Sequence, residues 1–231
     1  MLKAVIFDLD GTLIDSTEPI LSGYEYTFAQ LDLPVPDRQA VLDTIGAPLE
    51  VQVPMLTTAC TAEEFSSIYR PYYNEHAPGL TVLLPGAKEA LDAFAEAGLK
   101  IGFATSKKRE VSEMLLEHLG VLHHFESCVG PYEVENPKPH PEPLYVSAKN
   151  LNLTVEELAF VGDMHFDIHC AQAAGVRAIA VATGYLSREK LEALNAEVVL
   201  DDLYAVRDYL LMHRDAAPQT ESVTSGGSHA Q

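Results

Sequence analysis

Short apolar runs alternate with helix-patterned stretches over most of the chain, and the runs stop at glycines or acidic turns. The first, Lys-Ala-Val-Ile-Phe at residues 3–7, ends at Asp8-Leu9-Asp10-Gly11. Its shortness and its Gly-containing stop predict a buried strand. Apolar positions then recur three and four apart (Ile20, Tyr24, Thr27, Phe28, Leu31), predicting a helix over 16–33 that Pro34 and Pro36 end. Residues 37–78 keep a helical pattern and break at Gly46-Ala47-Pro48. The pattern restarts at Thr61, with Glu64 placed to complete a capping box.

A different rhythm begins at Pro85-Gly86. The pattern predicts helices over 87–97, 109–119, 141–151, 167–174 and 201–212. Between them it predicts strands over 99–104, 158–161, 178–181 and 198–200, and one more that closes at Val129. Strands that alternate with helices of this length predict an α/β fold, a doubly wound, Rossmann-like parallel sheet. One strand precedes a long helical stretch, so the economical division is an α/β core of residues 1–16 and 81–214 with an inserted helical cap, 17–80. The last residues, 215–231, are rich in Ser, Thr, Gly and Gln and predict a disordered tail.

Composition narrows the function classes. Apolar residues make up 47% and charged residues 21% of the 231, an ordinary globular balance with enough chain to bury a core. The three cysteines, Cys60, Cys128 and Cys170, lie far apart, which argues against a disulfide framework or zinc ribbon and suits a reducing cytoplasm. No apolar run is long enough to span a membrane, and Asp8 comes too early for a signal peptide. Fifteen Lys and Arg against 34 Asp and Glu give a net charge of −19. That balance disfavours nucleic acid and anionic membranes as partners. It also demands a cation wherever the protein handles an anion. No pattern in the chain sets an oligomeric state.

Ligands of open parallel sheets bind beyond the carboxyl ends of the strands. There the sequence places Asp8 and Asp10, then Thr105-Ser106-Lys107, then Lys138 between Pro137 and Pro139, then Asp163 with Asp167 four residues on. Carboxylates gathered this closely repel one another unless a cation sits among them, and an oxygen-only set suits Mg²⁺. A nucleophile, an acid/base and positive charge around an anion are what phosphoryl transfer requires. Each residue also has an ordinary role: Thr105 as a helix cap, Asp163 or Asp167 as a cap at the next helix start, Lys138 as a surface lysine. His165 and His169 share a helical spacing, but no third nitrogen or sulfur ligand is spaced to join them. P-loop, serine-hydrolase and metalloprotease motifs do not occur.

The stretch from Val5 to Leu13, Val-Ile-Phe-Asp-Leu-Asp-Gly-Thr-Leu, resembles the first motif of the haloacid dehalogenase-like hydrolase superfamily. Thr105, Lys138 and the segment Gly162-Asp163-Met164-His165-Phe166-Asp167 resemble its second, third and fourth, in order over residues 2–214. The resemblance implies a doubly wound core with a helical cap, Asp8 as the nucleophile forming an aspartyl-phosphate, and Asp10 as the acid/base. It implies that Thr105, with Ser106 beside it, and Lys138 hold the substrate's phosphoryl oxygens. Asp8, Asp10 through its main-chain carbonyl and Asp163 would ligate Mg²⁺, with Asp167 as a further ligand or a partner of Lys138. A carboxylate at Asp10 disfavours dehalogenation. Residues 44–49 and 138–144 resemble the phosphoglycolate phosphatase branch, where Asn usually stands at the place of Ser106. The expected function is therefore a Mg²⁺-dependent phosphatase of a small phosphorylated metabolite. A sugar-phosphate mutase of the β-phosphoglucomutase type and a non-catalytic binding protein on the same fold are the alternatives.

Overall fold

The computed structural model describes residues 1–215; the disorder expected of 215–231 lies outside these residues except at Asp215. In chain order the elements are β1 (Ala4–Phe7), β2 (Ile14–Asp15), α1 (Thr17–Gln30), α2 (Arg38–Leu42), α3 (Leu49–Leu56), α4 (Ala62–Leu80) and β3 (Val82–Leu83). Then follow α5 (Ala87–Glu96), β4 (Lys100–Ala104), α6 (Arg109–His118), β5 (Phe125–Val129), α7 (Glu142–Leu151) and β6 (Leu158–Gly162). The chain closes with α8 (His165–Ala174), β7 (Arg177–Val181), α9 (Arg188–Glu192), β8 (Val198–Leu200) and α10 (Leu203–Met212).

Six strands form one sheet in the order β5-β4-β1-β6-β7-β8, and every neighbouring pair is parallel. The order runs outward in both directions from the β1/β6 boundary, so the sheet is doubly wound with its switch point there. Helices cover both faces. Val5 and Phe7 of β1 pack with Leu91, Phe94 and Phe103 on one side, while Ala4 and Ile6 pack with Leu144, Phe160 and Ile168 on the other. Period-two alternation thus assigns each β1 side chain to one of two cores, and both are apolar because both faces are buried.

The helical stretch between β2 and β3 has an aromatic interior. Tyr24 and Phe28 of α1 pack on Phe65 and Tyr69 of α4, with ring centres 4.9–5.5 Å apart for the Tyr24–Phe65, Tyr24–Tyr69 and Phe28–Phe65 pairs. The Thr61–Glu64 capping box read from the sequence starts α4: Thr61 Oγ1 accepts from the Glu64 N–H, and Glu64 accepts from the Thr61 N–H. A strand pair and a helix escaped the pattern. The short antiparallel pair β2/β3, which joins the two chain crossings into this stretch, is two residues long on each side. That is too short for any alternation to show. The single-turn helix α9 is the other. No helix among the described residues is long and apolar enough to cross a membrane.

Candidate active site

Asp8 leaves the end of β1 and Asp163 the end of β6, one on each side of the switch point. Asp167 lies in the first turn of α8. Each of the three offers a carboxylate oxygen, the oxygens lie within 4.8 Å of one another, and all three residues are buried. Lys138 reaches them from the β5–α7 connection. Its Nζ donates to Asp8 Oδ1 and to Asp167 Oδ1, 2.7 Å in each case, and its side chain is 1% exposed.

One ammonium among three buried carboxylates leaves the group short of positive charge. Burial raises the Asp8 carboxyl to about 7; Lys138 opposes that shift and Asp167 reinforces it. Burial, then Asp167 and Asp8, hold the Asp163 carboxyl well above the usual carboxylate range. Burial alone would lower Lys138, but Asp167 and Asp8 more than reverse this, and the ammonium keeps its proton. A compact, oxygen-only donor set with surplus negative charge fits a hard divalent cation such as Mg²⁺.

The orientation of Asp163 is fixed by its neighbours. Its Oδ1 accepts from Thr12 Oγ1 at 2.8 Å and its Oδ2 from the Tyr185 N–H at 3.1 Å. The backbone comes close enough to do this because glycines stand at Gly11 and Gly184. A Cβ on Gly184 would overlap the Asp163 carboxylate, and one on Gly11, at φ +85°, would lie 2.5 Å from Asp163 Oδ2. Asp167 serves twice: Oδ2 accepts from the Met164 N–H at 3.0 Å and caps α8, while Oδ1 holds Lys138. The helix cap and the contact with Lys138 are thus made by one side chain.

Asp10 stands apart from this trio. Its Oδ1 accepts from Ser16 Oγ and lies 3.1 Å from Lys107 Nζ. Lys107 also donates to Tyr73 Oη of α4 at 2.5 Å, so it bridges the sheet edge and the helical stretch. Burial tends to lower Lys107, yet Asp10 and Tyr73 raise it overall. Thr105 is buried and its Oγ1 accepts from the Lys107 N–H at 3.2 Å, which leaves its own proton available. Ser106 donates its proton to Gly46 O at 2.6 Å, a bond to the loop between α2 and α3. Gly46 has φ +99°, and a Cβ there would lie 3.1 Å from the Phe166 ring, so this loop presses against the fourth motif.

A cleft of about 810 Å³, its open mouth included, separates the two layers. Asp8, Asp10, Thr105, Ser106 and Lys107 line it from the sheet edge, and Ile45, Gly46, Tyr69, Arg70 and Tyr73 line it from the helices. The strand-end rule also reaches residues to which no role was given in the sequence. Lys107 follows β4, and Gly184-Tyr185 follow β7. Thr12 sits inside the first motif itself. The rings of His165 and His169 are 6.1 Å apart and join no ligand group among the described residues.

Paired aspartates at a switch point, a buried lysine between carboxylates and a helical layer over the cleft define a hydrolase of one class. The sequence profile of the haloacid dehalogenase-like hydrolases matches residues 5–181, and the chain belongs to that family. It is 32% identical to a phosphoglycolate phosphatase of Salmonella paratyphi A over 224 residues, covering 87% of this chain and 89% of the relative. It is 34% identical to the probable phosphatase IndB of Dickeya dadantii, covering 87% and 90%. A crystal structure described as a predicted phosphoglycolate phosphatase from Haemophilus somnus superposes with a TM-score of 0.83 at 26% identity, covering 91% of this chain and 97% of that one. The protein is accordingly an enzyme, a phosphoric monoester hydrolase.

Proposed function

We propose that this phosphatase depends on Mg²⁺, works through an aspartyl-phosphate on Asp8, and hydrolyses a small phosphorylated metabolite, 2-phosphoglycolate being the best match. The observation that carries the reading is the buried Asp8–Lys138–Asp167 bridge beside Asp163, which meets the cleft through Asp8. The names of the relatives favour 2-phosphoglycolate. The helical residues 17–80 would act as the cap over a core of 1–16 and 81–214.

Mg²⁺, held by Asp8, Asp163 and the main-chain carbonyl of Asp10, would supply positive charge to the phosphoryl oxygens as a Lewis acid. Asp167 acts through Lys138, which its Oδ1 holds at 2.7 Å. Lys138 and the Thr105 hydroxyl hold phosphoryl oxygens. Asp8 attacks phosphorus, the ester P–O bond breaks, and the departing oxygen takes a proton from Asp10. Asp10, now a carboxylate, then takes a proton from water as that water's oxygen attacks phosphorus. The bond to Asp8 breaks and inorganic phosphate leaves. Two attacks of moderate barrier replace one that is among the slowest reactions in water.

A panel of phosphorylated metabolites, assayed for released phosphate with Mg²⁺ and with EDTA, tests the reading. The expected result is turnover of 2-phosphoglycolate that EDTA abolishes and Mg²⁺ restores, and a kcat lower by at least about a thousandfold in Asp8→Asn. Glucose 1-phosphate with a bisphosphate primer should give no glucose 6-phosphate. Undiminished turnover in EDTA or in Asp8→Asn would contradict the mechanism.

A further inference from the structure

The cleft carries cations that the phosphoryl chemistry leaves unused. Residues 17–80 contain only two Lys or Arg side chains, Arg38 and Arg70. Arg38 pairs at the surface with Glu18 and Glu25. Arg70, on α4, lines the same cleft as Asp8 and Asp10. Among the described residues only its Nη2 is engaged, by Tyr132 Oη at 3.1 Å and Glu50 Oε1 at 3.4 Å. Nε and Nη1 keep their donors.

Tyr132 belongs to the connection after β5, so a side chain of the α/β layer steadies Arg70 from the opposite wall. The Nζ of Lys108 sits 5.1 Å from the centre of the Tyr132 ring and also lines the cleft. Tyr132 is thus flanked by two cations near the mouth. Lys107 is already matched by Asp10 and Lys138 by Asp8 and Asp167. Arg70 and Lys108, set against Glu50, leave one positive charge in the wall facing a bound ligand. In a chain of net charge −19 that is a distinctive place for it.

We propose that Arg70, backed by Lys108, forms a subsite for a second anionic group of the substrate, a carboxylate a short carbon spacer away from the phosphate. The inference rests on the phosphatase reading and makes Arg70 a specificity-determining residue. A guanidinium presents a planar fork that matches a carboxylate. A single surplus charge matches a monocarboxylate and falls short of a second phosphate. A neutral substrate tail would leave the Arg70 donors unpaired once the cleft excluded water.

The test is calorimetric binding of two inert phosphonates in Mg²⁺: 3-phosphonopropionate, which carries the carboxylate, and propylphosphonate, which lacks it. The wild type should favour 3-phosphonopropionate by about tenfold, the lower range for a charge-assisted pair. In Arg70→Gln that ratio should fall to about one, and in Arg70→Lys part of it should survive, with the melting temperature of each variant confirming the fold. A wild-type ratio near one, or an unchanged ratio in Arg70→Gln, would overturn the subsite while leaving the phosphatase reading in place. Failure of the wild type to bind either phosphonate, or to release phosphate from p-nitrophenyl phosphate, would instead strike the phosphatase reading and the subsite with it.

Discussion

As the proposed nucleophile Asp8 must be ionised, yet its surroundings favour the proton. Without a cation its carboxyl sits at about 7, raised chiefly by burial, against an ordinary value of 3.8. Between about pH 4 and pH 7 the folded chain therefore holds a proton that the unfolded chain has released. Stability of the cation-free protein falls as pH rises through that window. A cation that binds the deprotonated form reverses the loss. Thermal unfolding should show a larger gain from Mg²⁺ at about pH 8 than at about pH 5; equal gains would count against the assigned cation site. Asp8 and Asp163 stood out in the sequence because each directly follows a strand end, and Lys138 because prolines flank it in the connection after β5. The Lys107–Tyr73 bond was not: it joins residues 34 apart in sequence and depends on how α4 lies over β4. Ser106, which lines the cleft, donates to Gly46 O, a partner that no local pattern announces.

At the scale of elements, the loop after β7 turns Asp163 towards its partners. The Tyr185 N–H reaches Asp163 only because Gly184 has no side chain. Gly184→Ala should cost about 1–3 kcal/mol in urea unfolding, the range for forcing a methyl into a packed place. It should also weaken Mg²⁺ binding in calorimetry, since the carboxylate must move. A variant with wild-type Mg²⁺ affinity would show that Asp163 has room to spare. Most helices were legible to within a residue or two, α4 among them, because its capping box and aromatic spacing agree. The β2/β3 pair was not, since two residues per strand carry no period.

At the scale of the whole molecule, the alternation of strands and helices predicted a parallel doubly wound sheet, and the structure has one. Alternation does not give strand order. That order follows from right-handed crossovers on two faces, and it places the ends of β1 and β6 side by side. The first and fourth motifs, 155 residues apart at Asp8 and Asp163, thereby become one site. The net charge of −19 gains a local meaning as well. Lys107 is drawn into the cleft beside Asp10, and Lys138 is buried between Asp8 and Asp167.

In the proposed mechanism Asp8 carries the phosphoryl group between ester and water. Rapid acid quench during turnover of a good substrate, followed by borohydride reduction and peptide mass spectrometry, examines it most directly. With Mg²⁺ present the expected product is a reduced acyl phosphate at position 8, with no such product in EDTA or in Asp8→Asn. Phosphate release at full rate with the adduct on a different side chain, or with none on the protein, would contradict it.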